Sequence, residues 1–319
     1  MNRLYFGDCI NILREDIAKE SVDLIYLDPP FNSNRDYSAF FKSPKGHVSD
    51  AQVTAFLDSW HWGEQAEREF LEIVKGPNTL VSEMIQALRS FLGVNDMMAY
   101  LTMMTNRLLE LHRTLKPDGS LYLHCDPTAS AYLRVILDGV FGKLNFKSEI
   151  NWKRSSAHND AKQGRRIYGN IRDVIFFYTK GKDWEWNWQY APYDVEYAKH
   201  NYRHIEAETG RRFSISDLTA AKPGGDVSYE WHGVLPYKGR FWAYSRANMD
   251  KFEKEGRIYF SKTGMPRLKN YLDEMPGVPL QNDWQDIPPT SGNEYLGYPT
   301  QKPLSLLERI ILTSSKPGD

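Results

Sequence analysis

The chain has 319 residues, 41% hydrophobic and 25% charged, enough for a sizeable core and against long-range disorder or a fibrous repeat. Lys and Arg number 40 against 41 Asp and Glu, so a net charge of −1 by itself selects no polyanionic partner. No apolar run approaches the roughly 18–20 residues that span a bilayer, no signal-peptide pattern opens the chain, and two cysteines form neither a disulfide framework nor a metal site; a cytoplasmic protein with reduced thiols and no membrane partner is expected.

Arg3–Phe6 is a short apolar-aromatic run ending at Gly7-Asp8. Cys9–Lys19 has helical spacing through Ile10, Leu13 and Ile17, with Asp8 as its N-cap. Val22–Leu27 is an apolar run broken by Asp23, the pattern of a strand buried on both faces of a parallel sheet. It stops at Asp28-Pro29-Pro30-Phe31. Residues 32–50 are polar and read as a mobile loop, and two or three helices follow between 51 and 115. The clearest carries Met97, Leu101, Met104, Leu108, Leu111 and Leu115 as a core-facing stripe. Lys116-Pro117-Asp118-Gly119 is a turn, and Ser120–His124 a buried strand. Helix 127–140, strand 144–153 and strand Val174–Tyr178 continue an alternation that argues for an α/β, doubly wound sheet.

From 181 to 290 the texture changes: six of nine tryptophans fall there, and Lys222-Pro223-Gly224-Gly225 and Met275-Pro276-Gly277 interrupt any periodicity. This reads as an irregular insert between a core at 1–180 and a return at 291–319, where Leu304, Leu307, Ile310 and Ile311 have helical spacing. Charge follows a related division. Residues 143–269 hold 24 Lys and Arg against 15 Asp and Glu, the balance of a phosphate-contacting region on an ordinary scaffold.

The sharpest chemical signal is Asp28-Pro29-Pro30-Phe31. Following a strand, it belongs at the sheet's carboxyl edge, where open α/β sheets bind ligands. Two prolines remove two backbone donors and leave carbonyl acceptors beside one carboxylate and one aromatic face. Asp28 and the Pro29 carbonyl can each accept one N–H of a planar exocyclic amine, while Phe31 stacks on a base flipped from its duplex. A tight turn with a core Phe is the plainer reading.

LDPPF at 27–31, with YFGDC at 5–9, LKPDGSLYLHCD at 115–126, SEINWKR at 148–154, IRDVIFFYTK at 171–180 and YPTQKPLSLLERII at 298–311, resembles the beta-class amino-methyltransferases of DNA. That group includes the modification subunits of type III restriction systems. The resemblance implies a Rossmann-like doubly wound sheet with an inserted target-recognition region, S-adenosyl-L-methionine as cofactor and double-stranded DNA as substrate. It further implies a homodimer or a restriction-modification partner subunit. Asp28, Pro29, Pro30 and Phe31 would be catalytic. Asp8, Cys9, Asp28, Thr300 and Lys302 would meet the cofactor, Thr300 and Lys302 by opening a helix whose free N–H groups and cation suit a carboxylate. Asp rather than Ser before the prolines points to N6 of adenine, with N4 of cytosine the alternative. The glycine-rich FxGxG turn that follows the TQKP helix in this class is not found here, so a cofactor segment on a continuation or a second polypeptide is expected. A recognition subunit without its own catalysis is the competing reading from another class.

Asn34, Arg35 and Tyr37 follow the turn closely enough to reach phosphates beside a flipped nucleotide. Lys153, Arg154, Arg165 and Arg166 form a basic cluster suited to DNA backbone, which positions without specifying sequence. Arg240, Trp242 and Arg246 lie where base reading and stacking belong. A solvated polar surface is the bland reading of each. His124 and Cys125 have no metal-ligand spacing to another His or Cys, and are read as core or turn packing.

Overall fold

The computed structural model describes all residues except 1, 31–34, 40–52, 59, 157–165, 167, 223–226 and 298–299, and for 35–39 and 53–58 it describes the backbone alone. The mobile loop expected at 32–50 therefore lies outside the described residues, apart from the strand within it. Helix α1 (Cys9–Glu15) is capped by Asp8, whose carboxylate accepts from the Ile10 N–H at 3.2 Å, and it ends short of the expected Lys19. The preceding Leu4 and Phe6 are exposed. Strand β1 (Val22–Leu27) follows. Strands β2 (Arg35–Ala39) and β3 (Val53–Asp58) pair antiparallel, β2 within the expected polar loop and β3 where the helical stretch was expected to begin.

Three helices come next: α2 (Glu64–Lys75), α3 (Thr79–Leu92) and α4 (Asp96–Thr114). Asn78 and Asn95 cap the last two through the Val81 and Met98 N–H groups. Helix α4 is buried continuously from Met98 to Leu108, so the expected one-sided stripe is in fact an enclosed helix. Thr102 and Thr105 survive there because their hydroxyls donate back to the Met98 and Leu101 carbonyls at 2.9 and 2.7 Å. Strand β4 (Leu115–Cys125) starts at Leu115 opposite Val22, but its next pair is Ser120 opposite Leu24, so the Lys116–Gly119 turn bulges from it. A Cβ at Gly119 would stand 2.9 Å from the Asp23 carbonyl oxygen, which requires glycine there. Helix α5 (Pro127–Leu137), capped by Asp126, gives way to a π-helical turn at Asp138–Gly142. Strands β5 (Phe146–Lys153) and β6 (Arg172–Thr179) complete this stretch.

Residues 190–280 form a separate compact unit. It contains β7 (Tyr190–Ala191), α6 (Val195–Asn201), β8 (His204–Ile205), β9 (Arg212–Asp217), β10 (Thr219–Ala220), β11 (Phe241–Trp242), α7 (Arg246–Lys254), β12 (Ile258–Phe260), β13 (Pro266–Tyr271) and β14 (Val278–Pro279). Its four-stranded antiparallel sheet has the order β12-β13-β9-β8. Its core gathers Leu218, Val227, Tyr229, Trp231, Trp242, Met249 and Met265. The unit is narrower than the 181–290 stretch picked out by composition, because Trp184, Trp186, Trp188 and Trp284 belong to the first unit.

That first unit, 1–189 with 281–319, closes with β15 (Asp283–Trp284) and α8 (Leu304–Ser314). Its five-stranded sheet has the order β1-β4-β6-β5-β15. β1 is parallel to β4 and β15 to β5, but β6 is antiparallel to both neighbours, so the sheet is mixed rather than all-parallel. Among the described residues β1 is an edge strand, half-buried throughout, which corrects the expectation of burial on both faces. Strand alternation sorts the side chains. Leu121, Leu123, Cys125, Val174, Phe176 and Tyr178 face the helical layer of α2–α5, while Tyr122, Ile150, Trp152, Ile175 and Phe177 pack with Leu306 and Ile310 of α8. Each fully buried side chain of this kind contributes about 1.5–3 kcal/mol.

Candidate active site

On the α8 side of the sheet, the apolar alternation of β1, β4, β5 and β6 ends in a polar residue. Leu24 and Tyr26 lead in steps of two to Asp28; Tyr122 leads to His124; Ile150 and Trp152 lead to Arg154; and Phe177 and Ile175 lead back along β6 to Asp173. These groups form one layer at the carboxyl end of β1 and β4. The Tyr26 hydroxyl lies 2.7 Å from His124 Nδ1, and His124 Nε2 lies 3.1 Å from Asp173 Oδ2. Arg154 Nε reaches Asp173 Oδ1 at 2.6 Å. Burial first, then the charges of Asp28 and Asp173, push the Tyr26 hydroxyl far above its ordinary range.

Asp28 stands at the outer end of this layer with its side chain 27% exposed. Its Oδ2 accepts from Lys302 Nζ at 2.7 Å, across 274 residues of sequence. Lys302 is nearly buried and also donates to the Thr300 carbonyl at 3.2 Å. The chain therefore brings Asp28, Thr300 and Lys302 together as expected from sequence. It differs at the helix start. Helix α8 begins at Leu304, and its first N–H is already taken by the Glu294 carboxylate, while Gln301 ties the Glu294 and Leu296 backbone to its side-chain amide. The cation, rather than a free helix terminus, is what this segment offers an anion.

Both oxygens of Asp8 have partners, while 40% of its side chain stays exposed. One oxygen caps α1, and the other accepts from Arg107 Nη2 at 2.6 Å. Arg107 is itself 8% exposed and also holds Glu69 at 3.2 Å and the Met103 carbonyl at 2.9 Å. Desolvation raises the Cys9 thiol, and burial raises Cys125 well above the ordinary range, so neither is a ready thiolate.

Phe31, Asn34 and Arg165 lie outside the described residues. Arg35 and Tyr37 sit in β2, opposite Asp58 and Phe56. Lys153 ends β5 and Arg166 is exposed. In the 190–280 unit one expectation needs correction. Trp242 is 1% exposed, and its indole N–H donates to the Tyr229 carbonyl at 2.8 Å, so it is a core residue and presents no ring for stacking. Arg240 donates from Nε and Nη2 to the Thr219 hydroxyl and carbonyl, at 2.6 and 2.7 Å, bracing β10 and β11, while 39% of its side chain stays exposed. Arg246 likewise donates to the Glu230 carbonyl at 2.7 Å.

Sequence reasoning passed over Arg107, Tyr26 and Asp173, and read His124 as packing. The available signal was polarity in the wrong place: an arginine on the enclosed helix, and a histidine and an aspartate at the ends of otherwise apolar strands.

Residues 22–319 match a family profile described as DNA methylase, of the N6/N4 methyltransferase type. The type II methyltransferase M.EcaI of Enterobacter cloacae is 31% identical over 226 residues, covering 69% of this chain and 48% of that protein. The Mod subunit of the type III restriction-modification enzyme StyLTI of Salmonella typhimurium is 25% identical over 326 residues, covering 97% and 46%. The chain thus spans about half the length of these two relatives. Among solved structures, an M1.HpyAVI–SAM complex aligns over 99% of this chain and 78% of its own, with 13% identity and a TM-score of 0.38.

Proposed function

Because the chain belongs to the N6/N4 DNA methylase family, we propose that it moves a methyl group from S-adenosyl-L-methionine to N6 of an adenine flipped from duplex DNA. The observation that carries this reading is the Asp28 carboxylate at the end of β1, followed by two prolines and held 2.7 Å from Lys302. Asp28 and the Pro29 carbonyl each accept one N6–H, drawing the nitrogen lone pair out of the ring so that it can attack. Catalysis then rests on positioning and preorganised charge, with no covalent enzyme intermediate. The raised thiols of Cys9 and Cys125 agree with that.

The donor set fits the cofactor. When bound, it supplies an electrophilic methyl group on a sulfonium. Lys302, a nearly buried cation that holds the Asp28 carboxylate and the Thr300 carbonyl, suits its carboxylate, and Asp8 suits the adenine end. Lys302 holds Asp28; were it to take the cofactor's carboxylate instead, Asp28 would be free to accept from the substrate amine. The edge of β1 opposite β4 carries no strand among the described residues. It is a ready template for the glycine-rich segment expected from the resemblance.

The 190–280 unit would read the target, and the kinship to a Mod subunit suggests a partner subunit in a restriction-modification assembly. The test uses radiolabelled S-adenosyl-L-methionine and unmethylated mixed-sequence DNA, with these 319 residues alone and with a continuation carrying the glycine-rich turn, followed by nucleoside separation. N6-methyladenine is the expected product. N4-methylcytosine would shift the substrate, and DNA binding without methylation in either form would leave a recognition subunit.

A further inference from the structure

We propose that His124 is a positioning residue for methyl transfer. It is the bridge of a buried chain, Tyr26–His124–Asp173–Arg154, that couples phosphate engagement at Arg154 to the placement of the Asp28 turn. The inference rests on the reading of Asp28 given above, and extends it to residues that touch neither base nor cofactor.

Four strands supply the chain: Tyr26 from β1, His124 from β4, Asp173 from β6, and Arg154 from the residue after β5. His124 is 0% exposed and Asp173 3%. A carboxylate can only accept, so Nε2 carries the proton given to Asp173, and Nδ1 accepts from the Tyr26 hydroxyl. The ring is fixed further by edge-on contacts with Trp152 and Tyr26, with centroids 5.6 and 6.2 Å away. Such a chain is a poor way to stabilise a sheet, since apolar residues of the same volume do at least as well. What it does provide is orientation. The hydroxyl it holds belongs to Tyr26, two residues before Asp28 and on the same face of β1.

The far end of the chain reaches solvent. Arg154 spends Nε inward on Asp173, yet 40% of its side chain is exposed, in the basic stretch after β5. A phosphate on that guanidinium draws the cation outward. Asp173 then holds the His124 Nε2–H more strongly, which firms the acceptor that fixes Tyr26. Arg154 thus reports DNA engagement to the catalytic turn through three hydrogen-bonded groups, without approaching the reacting atoms.

The test uses the full-length protein and unmethylated duplex DNA, with single-turnover methyl transfer, DNA Kd and thermal midpoint measured for each variant. Tyr26→Phe, which removes one hydroxyl, should lower the single-turnover rate about tenfold with Kd and midpoint unchanged. His124→Phe should lower it roughly 30-fold or more, and His124→Gln, which keeps a donor and an acceptor, should stay within about threefold of the parent. Arg154→Ala should weaken DNA binding and slow the transfer step, and combined with Tyr26→Phe should cost less than the product of the two. A folded Tyr26→Phe at the parental rate overturns the proposal, and decides it even where His124→Phe fails to fold. Asp28→Ala separates the two levels: an active Asp28→Ala, or a parent without methyl transfer, overturns the reading of the site and this inference together. An inactive Asp28→Ala beside a fully active Tyr26→Phe overturns the inference alone.

Discussion

In the unit formed by 1–189 and 281–319, Tyr26, Tyr122, Cys125 and Asp126 are all pushed up, and burial is the first cause in each. In the 190–280 unit three acids behave differently: Glu206 is pulled down first by Lys269, and Asp273 and Glu274 first by Arg211. The first set lies dry inside its unit. The second set lies near solvent and is paired with long cations, as are Glu67 and Asp286 of the first unit. Charge held in a dry, fixed frame acts strongly on a reacting group, whereas solvated ion pairs serve mainly to brace short strands and loops. Under the proposed function, the chemistry belongs to the first unit and target recognition to the second.

The largest expected effect tests the dry layer directly. Asp28→Ala should remove turnover, a loss beyond about 10⁴-fold or ~5.4 kcal/mol in the transition state, while DNA Kd in a filter-binding assay stays within about threefold. Retention of most of the methylation rate would break the assignment of chemistry to this layer. Next comes the core of the other unit. Trp242→Ala should destabilise residues 190–280 by about 3–5 kcal/mol, seen as faster amide exchange in β9 and β13, with DNA affinity lost only as that unit opens. Weakened DNA binding with unchanged exchange would restore Trp242 as a DNA contact. Third, Lys302→Met should raise the cofactor Kd by about tenfold, ~1.4 kcal/mol, with a smaller effect on single-turnover rate at saturation. An unchanged Kd would separate Lys302 from the cofactor and leave it as a partner of Asp28 alone.

Sequence could reach the parts of this molecule whose cause is local. Val22–Leu27 ends at Asp28 because an apolar run meets two prolines, and Asp8, Asn78 and Asn95 announce helix starts through their own side chains. The Lys116–Gly119 turn is legible for the same reason. The missing parts depend on register between distant segments. Tyr26 and His124 are 98 residues apart and His124 and Asp173 are 49 apart, so their union follows from strand order and from β6 running antiparallel, which no local pattern dictates. Glu294 at the start of α8 is hidden because it arrives from a loop ten residues earlier. Trp242 was misplaced because an aromatic beside an arginine has the same composition whether it stacks on a base or closes a small core.

The smallest expected effect concerns the solvated brace itself. Glu206 is held down at about 2, from an ordinary 4.5, by hydrogen bonds from Lys269, Thr209 and Tyr271. The Lys269 and Tyr271 donors lie 2.8 and 2.5 Å from Oε1. A carboxylate whose folded pKa lies below its unfolded one stabilises the fold fully above the unfolded value, and loses that contribution as pH falls toward the folded value. Amide protection of β9 and β13 should therefore decline between about pH 4.5 and pH 2. Glu206→Gln should flatten that part of the decline and lower protection modestly at neutral pH, leaving the methyl-transfer rate of the folded protein unchanged. Hydrogen exchange at pH 5, 3.5 and 2.5 on parent and variant checks it. An identical pH profile in the two would mean that Glu206 is no brace, and that the acids of this unit are poised for a partner's cations instead of their own.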